Sequence, residues 1–172
     1  MIGPNPAADC KLAARDYWRR LGWPAHAHGR VVWIVPGGQI EALNMPRDIA
    51  APAIARLAAI GVVGPVIEIP GQPARWALLS QPHAGSPSGI LRVLAQQEYG
   101  HQIGYAHGGR HRGQPSEWGI DLPPTRYPDR QPLTWIKPAT QPLPPISLVL
   151  GAVLDVLLSR QGDRRAPAED GQ

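Results

Sequence analysis

The chain has no phenylalanine, a single cysteine and only two lysines among its 172 residues. Without Phe, six Trp and four Tyr must supply the aromatic volume of any core. With Cys10 alone, neither an internal disulfide nor a cysteine-based zinc site can form. Charged residues reach only 17%, too few for a charge-rich disordered chain or a coiled coil. No apolar run approaches the roughly 18 residues a membrane span needs, so no membrane partner is expected. The start lacks a basic stretch followed by an apolar one, so the expected compartment is the cytoplasm.

What is present points to a globular domain. Hydrophobic residues make up 43%, enough for a core, while Pro 21 and Gly 19 together fill nearly a quarter of the chain. Long uninterrupted helices are therefore not expected. The net charge is +4 and the cations are almost all Arg, Lys occurring only at Lys11 and Lys137. Arg, Ala, Gly and Pro enrichment with scarce Lys and Asn is the composition of a GC-rich, actinobacterial-type genome. Because the Arg residues are scattered, composition accounts for them more readily than a massed nucleic-acid surface does, although contact with phosphates is permitted.

Along the chain, residues 7–21 read as a helix, with Leu12, Ala13, Tyr17 and Leu21 at helical spacing and Gly22 and Pro24 ending it. Residues 31–35 and 39–45 are β-prone runs on either side of Pro36-Gly37-Gly38, which predicts a hairpin. A second helix is expected over 46–60, with Pro52 in or near its first turn. Residues 66–69 and 75–79 predict another strand pair around Pro70-Gly71-Gln72-Pro73, and 90–97 a short helix. The Gly- and His-rich stretch 99–116 has no clear period and predicts a mobile loop holding at most one strand. Late strands at 118–122 and 133–136 flank a Pro-rich turn, and Pro144-Pro145 introduces a last helix over 146–160. Residues 1–160 are then one domain, with 161–172 a disordered polar tail. Strands arriving in pairs predict an α+β fold, a mostly antiparallel sheet with helices packed on it.

Three stretches carry a family likeness. The first is Arg15-Asp16-Tyr17-Trp18-Arg19-Arg20-Leu21-Gly22-Trp23-Pro24, a helix ending in a Gly-Trp-Pro turn. The second is Gln39-Ile40-Glu41-Ala42-Leu43-Asn44-Met45, followed by Gly64-Pro65-Val66 and by Arg75-Trp76-Ala77-Leu78-Leu79. The third is Gly119-Ile120-Asp121-Leu122-Pro123-Pro124-Thr125, with Leu133-Thr134-Trp135 after it. Together, over roughly residues 13–140, they resemble the prim-pol domain, the N-terminal domain of bifunctional DNA primase/polymerases in the archaeo-eukaryotic primase superfamily. The resemblance implies a primase-like sandwich and binding of DNA, RNA or a nucleotide, linked to DNA replication or a mobile element.

The departures from that pattern bear on chemistry. A primase or polymerase sets two carboxylates at i and i+2 on one strand face, because two magnesium ions must be held over the reacting phosphate. The matching positions here are Ala42 and Asn44, and no two acidic residues stand at i, i+2 anywhere in the chain. The family's phosphate-contacting histidine falls near Arg75 or Trp76. The resemblance thus implies a degenerate site with no catalytic residue and no cofactor, acting by binding. A divalent metal enters only for a divergent nucleotidyltransferase whose carboxylates have moved to Glu41, Glu68 and Asp121.

The candidate nucleic-acid-binding residues are Arg75, Arg110, Arg112, Arg126 and Arg130. His101, His107 and His111 could ligate zinc, but their spacing fits no standard metal motif and Arg110 and Arg112 repel a cation, so a solvated loop is expected. His26 and His28 are expected on the surface flanking a strand. Cys10 is expected to be packed, though a helix start would lower its thiol pKa. Trp76, Trp118 and Trp135 are expected in the core, and Trp23, before Pro24, is the better candidate for exposure. Neither a nucleophile elbow nor a Walker A loop occurs, and glycine-rich residues 104–109 precede no convincing helix. In the last helix Ile146, Val149, Leu150, Val153 and Leu157 form one stripe, and Leu148, Val156 and Leu158 a second face. Such a helix is expected to be buried nearly all round, inside the domain or against another chain. Val149, Leu150, Val153 and Leu157 are accordingly a candidate interface for a second copy or a protein partner.

Overall fold

The structure, a computed structural model, describes residues 6–62, 64–85, 87–107, 119–139 and 142–165. Helix α1 (Pro6–Leu21) leads into strands β1 (Ala25–His28), β2 (Val31–Ile34) and β3 (Glu41–Pro46). Helix α2 (Arg47–Ala59) follows, then β4 (Val66–Ile69), β5 (Arg75–Ser80) and helix α3 (Pro87–Ala95). A 3-10 turn (Gly100–Gln102) precedes β6 (Gly104–Ala106), β7 (Ile120–Leu122), β8 (Thr134–Lys137) and helix α4 (Ile146–Arg165). The fold is α+β, with strand order β6-β3-β5-β4-β8 in one sheet and β1-β2-β7 in the other. Every strand pairing within them is antiparallel.

Period-2 alternation divides the five-stranded sheet between two cores. Leu43, Met45, Val66, Trp76 and Leu78 pack against Ile49, Ala53 and Leu57 of α2, Ile90 and Leu94 of α3, and Val149, Val153 and Leu157 of α4. Ala42, Ile67, Ala77 and Leu79 face the other way, toward Cys10 and Ala14 of α1 and Val32, Ile34, Ile120 and Leu122 of the small sheet.

The expected hairpin over 31–45 does not form. β2 pairs with β1 and β7, while β3 pairs with β5 and β6. Pro36-Gly37-Gly38 makes only a local bridge from Gly37 to Ile40 and carries the chain from one sheet to the other. β1 holds His26 and His28, exposed as expected but within the strand. The two late strands likewise separate, β7 joining the small sheet and β8 the large one. The stretch after residue 99 contains β6, and 108–118, with Arg110, His111, Arg112 and Trp118, lies outside the described residues.

Trp23 corrects the expectation of exposure. Gly22 adopts φ +68°, and the Gly22 and Trp23 N–H groups donate to the carbonyls of Trp18 (3.0 Å) and Tyr17 (3.3 Å). That left-handed helix stop folds the chain back beneath α1. Trp23 then stacks on Tyr17, centroids 6.0 Å apart, and is 0% exposed. Trp76 is buried as expected, and Trp135 is half-buried against the second core. Cys10 is packed, five residues into α1 counting Pro6, and burial pushes its thiol pKa up, Asp9 adding to the effect. The helix start does not lower it.

Pro52 lies beyond the first turn of α2, where its missing N–H orphans the carbonyl of Asp48 four residues back. Arg160 of α4 fills the gap. Its Nη2 donates to that carbonyl at 2.6 Å and its Nη1 to the Asp48 carboxylate at 2.8 Å.

Helix α4 is not buried all round. Val149, Val153 and Leu157 are 0% exposed inside the chain's own core, and Leu150 packs half-buried against it, so the predicted interface stripe is internal. Leu148 and Leu158 are exposed, because α2 and the sheet cover one side only. The helix also continues through Gln161 to Arg165, correcting the start of the expected tail. Once three turns are anchored, each added residue gains a backbone bond at little entropic cost. Residues 166–172 lie outside the described residues. Among the described residues no helix is long and apolar enough to cross a membrane.

Candidate functional site

Small residues open a cleft on the side of the large sheet away from α2 and α4. Ala42 and Asn44 point there from β3, opposite Ala106 and Gly104 of β6 and next to Ala77 of β5. With no large side chain on that floor, the facing wall cannot close on it. That wall is Gly119 and, on β7, Ile120 and Asp121, with residues 127–130, and the cleft between measures about 520 Å³. Ile69, Asp129 and Arg130 line both this cleft and a second one of about 890 Å³ under the β4–β5 hairpin, which reaches Arg75.

The structure brings Asn44 and Arg75 together across β3 and β5. Arg75 Nε donates to Asn44 Oδ1 at 2.6 Å, and its Nη2 to the carbonyls of Asn44 (2.9 Å) and Gln102 (2.7 Å). All three acceptors are neutral. Burial lowers the Arg75 pKa, no carboxylate pairs with it, and Nη1 has no partner among the described residues. A half-buried guanidinium without an anion is costly unless a ligand supplies one.

Asp121 stands on the opposite wall. The Tyr127 hydroxyl donates to its Oδ2. Burial raises the Asp121 pKa, opposed in part by that hydrogen bond, and burial and Asp121 together raise the pKa of Tyr127. The turn between them is pinned by Thr125, whose buried hydroxyl accepts from Val32 N–H at 2.7 Å and donates to Val32 O at 2.9 Å.

The three carboxylates expected for a divergent nucleotidyltransferase do not share a cleft. Glu41 is buried on the helix side of β3, accepting from His83 N–H (2.9 Å) and the Tyr105 hydroxyl (2.5 Å). Glu68 lies on β4 between β5 and β8, 3.5 Å from Trp76 Nε1 and 3.4 Å from Thr134 Oγ1, and lines only the second cleft. Strand alternation puts odd and even positions of β3 on opposite faces, which separates Glu41 from Asn44.

The remaining predicted residues scatter. Arg130 is exposed and lines both clefts. Arg126 is exposed, hydrogen-bonded through its backbone N–H to Arg30 O at 2.9 Å, and lines neither. The histidines do not form a set either. His101 is exposed, with Nδ1 3.1 Å from Glu98 O, whereas His107 is buried against the Tyr105 ring, not in a solvated loop. Among the described residues, no group of three His, Cys, Asp or Glu could hold a metal ion. Sequence reasoning missed Tyr127, Gln102 and Asp129. The readable signal was the run of small residues at alternate positions, Ala42, Gly104, Ala106 and Ala77.

Compared with known proteins, the chain matches no family model, no curated protein and no solved structure. The prim-pol resemblance rests on the three quoted motifs.

Proposed function

We propose that this is a binding protein without polymerase chemistry, which holds a nucleotide across two adjoining clefts, one between its two sheets and one under the β4–β5 hairpin, where Arg75 lies. The observation that carries the reading is Arg75, half-buried, aligned by Asn44 and, among the described residues, without a carboxylate and with one nitrogen left over. A phosphate is the anion whose geometry suits that guanidinium. Arg130 offers a second cation from the wall shared by the two clefts. The volume of about 520 Å³ falls within the 300–1,000 Å³ usual for small-ligand sites. Glu68, Asp121 and Asp129 also line the two clefts, so they are of mixed sign. That mixture suits one nucleotide, whose sugar and base offer donors to carboxylates, better than a long polyanion. The prim-pol likeness points to the same face, since Ala42 and Asn44 stand where that family carries its metal-binding pair.

Titration calorimetry with nucleoside mono- and triphosphates tests the reading. Binding is expected for wild type and is expected to weaken at least tenfold in Arg130→Ala, an exposed change that leaves the fold intact, and further in Arg75→Ala. Primer synthesis and extension with magnesium or manganese are expected to be absent. Metal-dependent incorporation of labelled nucleotide, or no nucleotide binding at all, overturns the reading.

A further inference from the structure

Helix α1 carries a second, separate surface. Its buried side, Cys10, Ala14, Tyr17 and Leu21, is committed to the core between the sheets. On its solvent side Lys11, Arg15 and Trp18 stand at i, i+4 and i+7, and Leu12, Arg15 and Arg19 at i, i+3 and i+7, so the five share one face. All five are exposed, Trp18 at 60% and Leu12 at 62%. Lys11, Arg15 and Arg19 form no ion pair among the described residues. The helix's two carboxylates, Asp9 and Asp16, stand seven residues apart on the neighbouring side, and Asp16 is taken by Arg20 at 3.2 Å. A favourable interaction with the helix dipole accounts for Arg19 and Arg20 in the last turn. It does not account for Lys11 and Arg15, which stand before the last turn, nor for an indole left in water.

We infer that this face of α1 binds single-stranded nucleic acid, the three cations following the phosphates and Trp18 stacking on a base. Charge and an aromatic plane are what such a ligand requires, without sequence preference. From Lys11 to Arg19 the helix rises about 12 Å, room for a few nucleotides. A lipid surface fits less well. Interfacial helices insert a broad apolar face, whereas α1 has turned its own inward and exposes only Leu12 and Trp18, on either side of the cations. This surface does not include Arg75 or the cleft, and the inference stands independently of the nucleotide reading.

Fluorescence anisotropy of the full chain with a labelled oligothymidylate, over a salt series beginning near 50 mM, reads the interaction. Wild type is expected to bind with an affinity that falls steeply as salt rises. Lys11→Ala/Arg15→Ala/Arg19→Ala is expected to make the slope of log K against log salt shallower by about 2, from 0.7 per phosphate. Trp18→Ala is expected to weaken binding by about 5- to 150-fold with the slope unchanged, and Trp18→Phe to recover part of the loss. Exposed changes leave the fold intact, and the helical circular dichroism signal checks it. Arg15→Glu alone, at the centre of the face, repeats the test with a single substitution. Failure of wild type to bind, or binding unchanged in the triple variant and in Trp18→Ala, overturns the proposal. So does binding to phosphatidylserine vesicles but not to the oligonucleotide, which would make this a membrane-facing helix.

Discussion

The two faces of the five-stranded sheet are built from the same strands and behave oppositely. Toward α2 and α4, β3 and β5 present Leu43, Met45, Trp76 and Leu78, none more than 8% exposed. Toward the small sheet the alternate positions are Ala42, Asn44, Arg75, Ala77 and the buried Leu79, with Gly104 and Ala106 beside them on β6. Large side chains fill the first face and leave no room for a ligand. Small ones on the second keep an open cleft, and its polar groups find partners largely in one another. The helix side is packed throughout, whereas the other side packs Ile67 and Leu79 into a second core and opens only where its side chains are small, so substitutions at packed and at cleft positions should report on different things.

The helix side should show the largest effect. Leu157 is 0% exposed and packs in the cluster joining α4, α2 and the sheet, so Leu157→Ala is expected to cost about 2–5 kcal/mol. Domain stability is only about 5–15 kcal/mol. Adding Val153→Ala, also 0% exposed, should remove much of what is left. Thermal melting with light scattering reads the result, a lower melting point at constant mass. Halved mass in the variant would instead place this stripe in an interface between copies and break the comparison.

A smaller effect separates a hydrogen bond that mends the backbone from one that only decorates the surface. Arg160 meets the carbonyl that Pro52 leaves without a partner, whereas Arg20 meets only the exposed Asp16 carboxylate. Arg160→Ala is expected to cost about 1–2 kcal/mol. Arg20→Ala should cost no more than a few tenths of a kcal/mol, the usual worth of an exposed i, i+4 pair. Urea denaturation of the two variants side by side tests the ranking, and equal costs would refute the role given to the Asp48 carbonyl.

What was legible in the sequence follows the same division between local and distant. β4 and β5 were readable almost to the residue, because strand composition and the Pro-Gly-Gln-Pro turn are local signals. The extent of α2 was equally plain. β1 was missed because Ala-His-Ala-His alternates without a β-branched residue. Beyond the β4–β5 pair, sheet membership was not readable. β2 reaches its partner β7 about ninety residues away, and Val32 meets Thr125 across 93. Nothing in the intervening chain encodes that choice. Trp23 was misplaced for a related reason, since its burial depends on a left-handed turn at Gly22 that reverses the chain under α1. At the cleft, sequence marked Asn44 and Arg75 separately, and only the antiparallel register puts them within 2.6 Å.

The most delicate effect belongs to the cleft side and reads its charge through pH. Asp121 is held above the ordinary carboxylate range by burial, with the Tyr127 hydrogen bond opposing the shift. A carboxyl group whose pKa is higher folded than unfolded destabilises the fold when ionised. Its penalty is present in full at neutral pH. The penalty fades as pH falls through the folded pKa, and it is gone below the unfolded value of about 3.9. Asp121→Asn removes the charge but keeps an oxygen to accept from the Tyr127 hydroxyl. The variant is therefore expected to melt higher than wild type at pH 7, with the gap closing as the pH is lowered toward about 4. Melting curves at matched ionic strength across that range decide it. A variant less stable by the same amount at every pH would mean that the bond to Tyr127 outweighs the cost of burying the charge. The cleft wall would then be held as rigidly as the helix side, contrary to the division between the two faces.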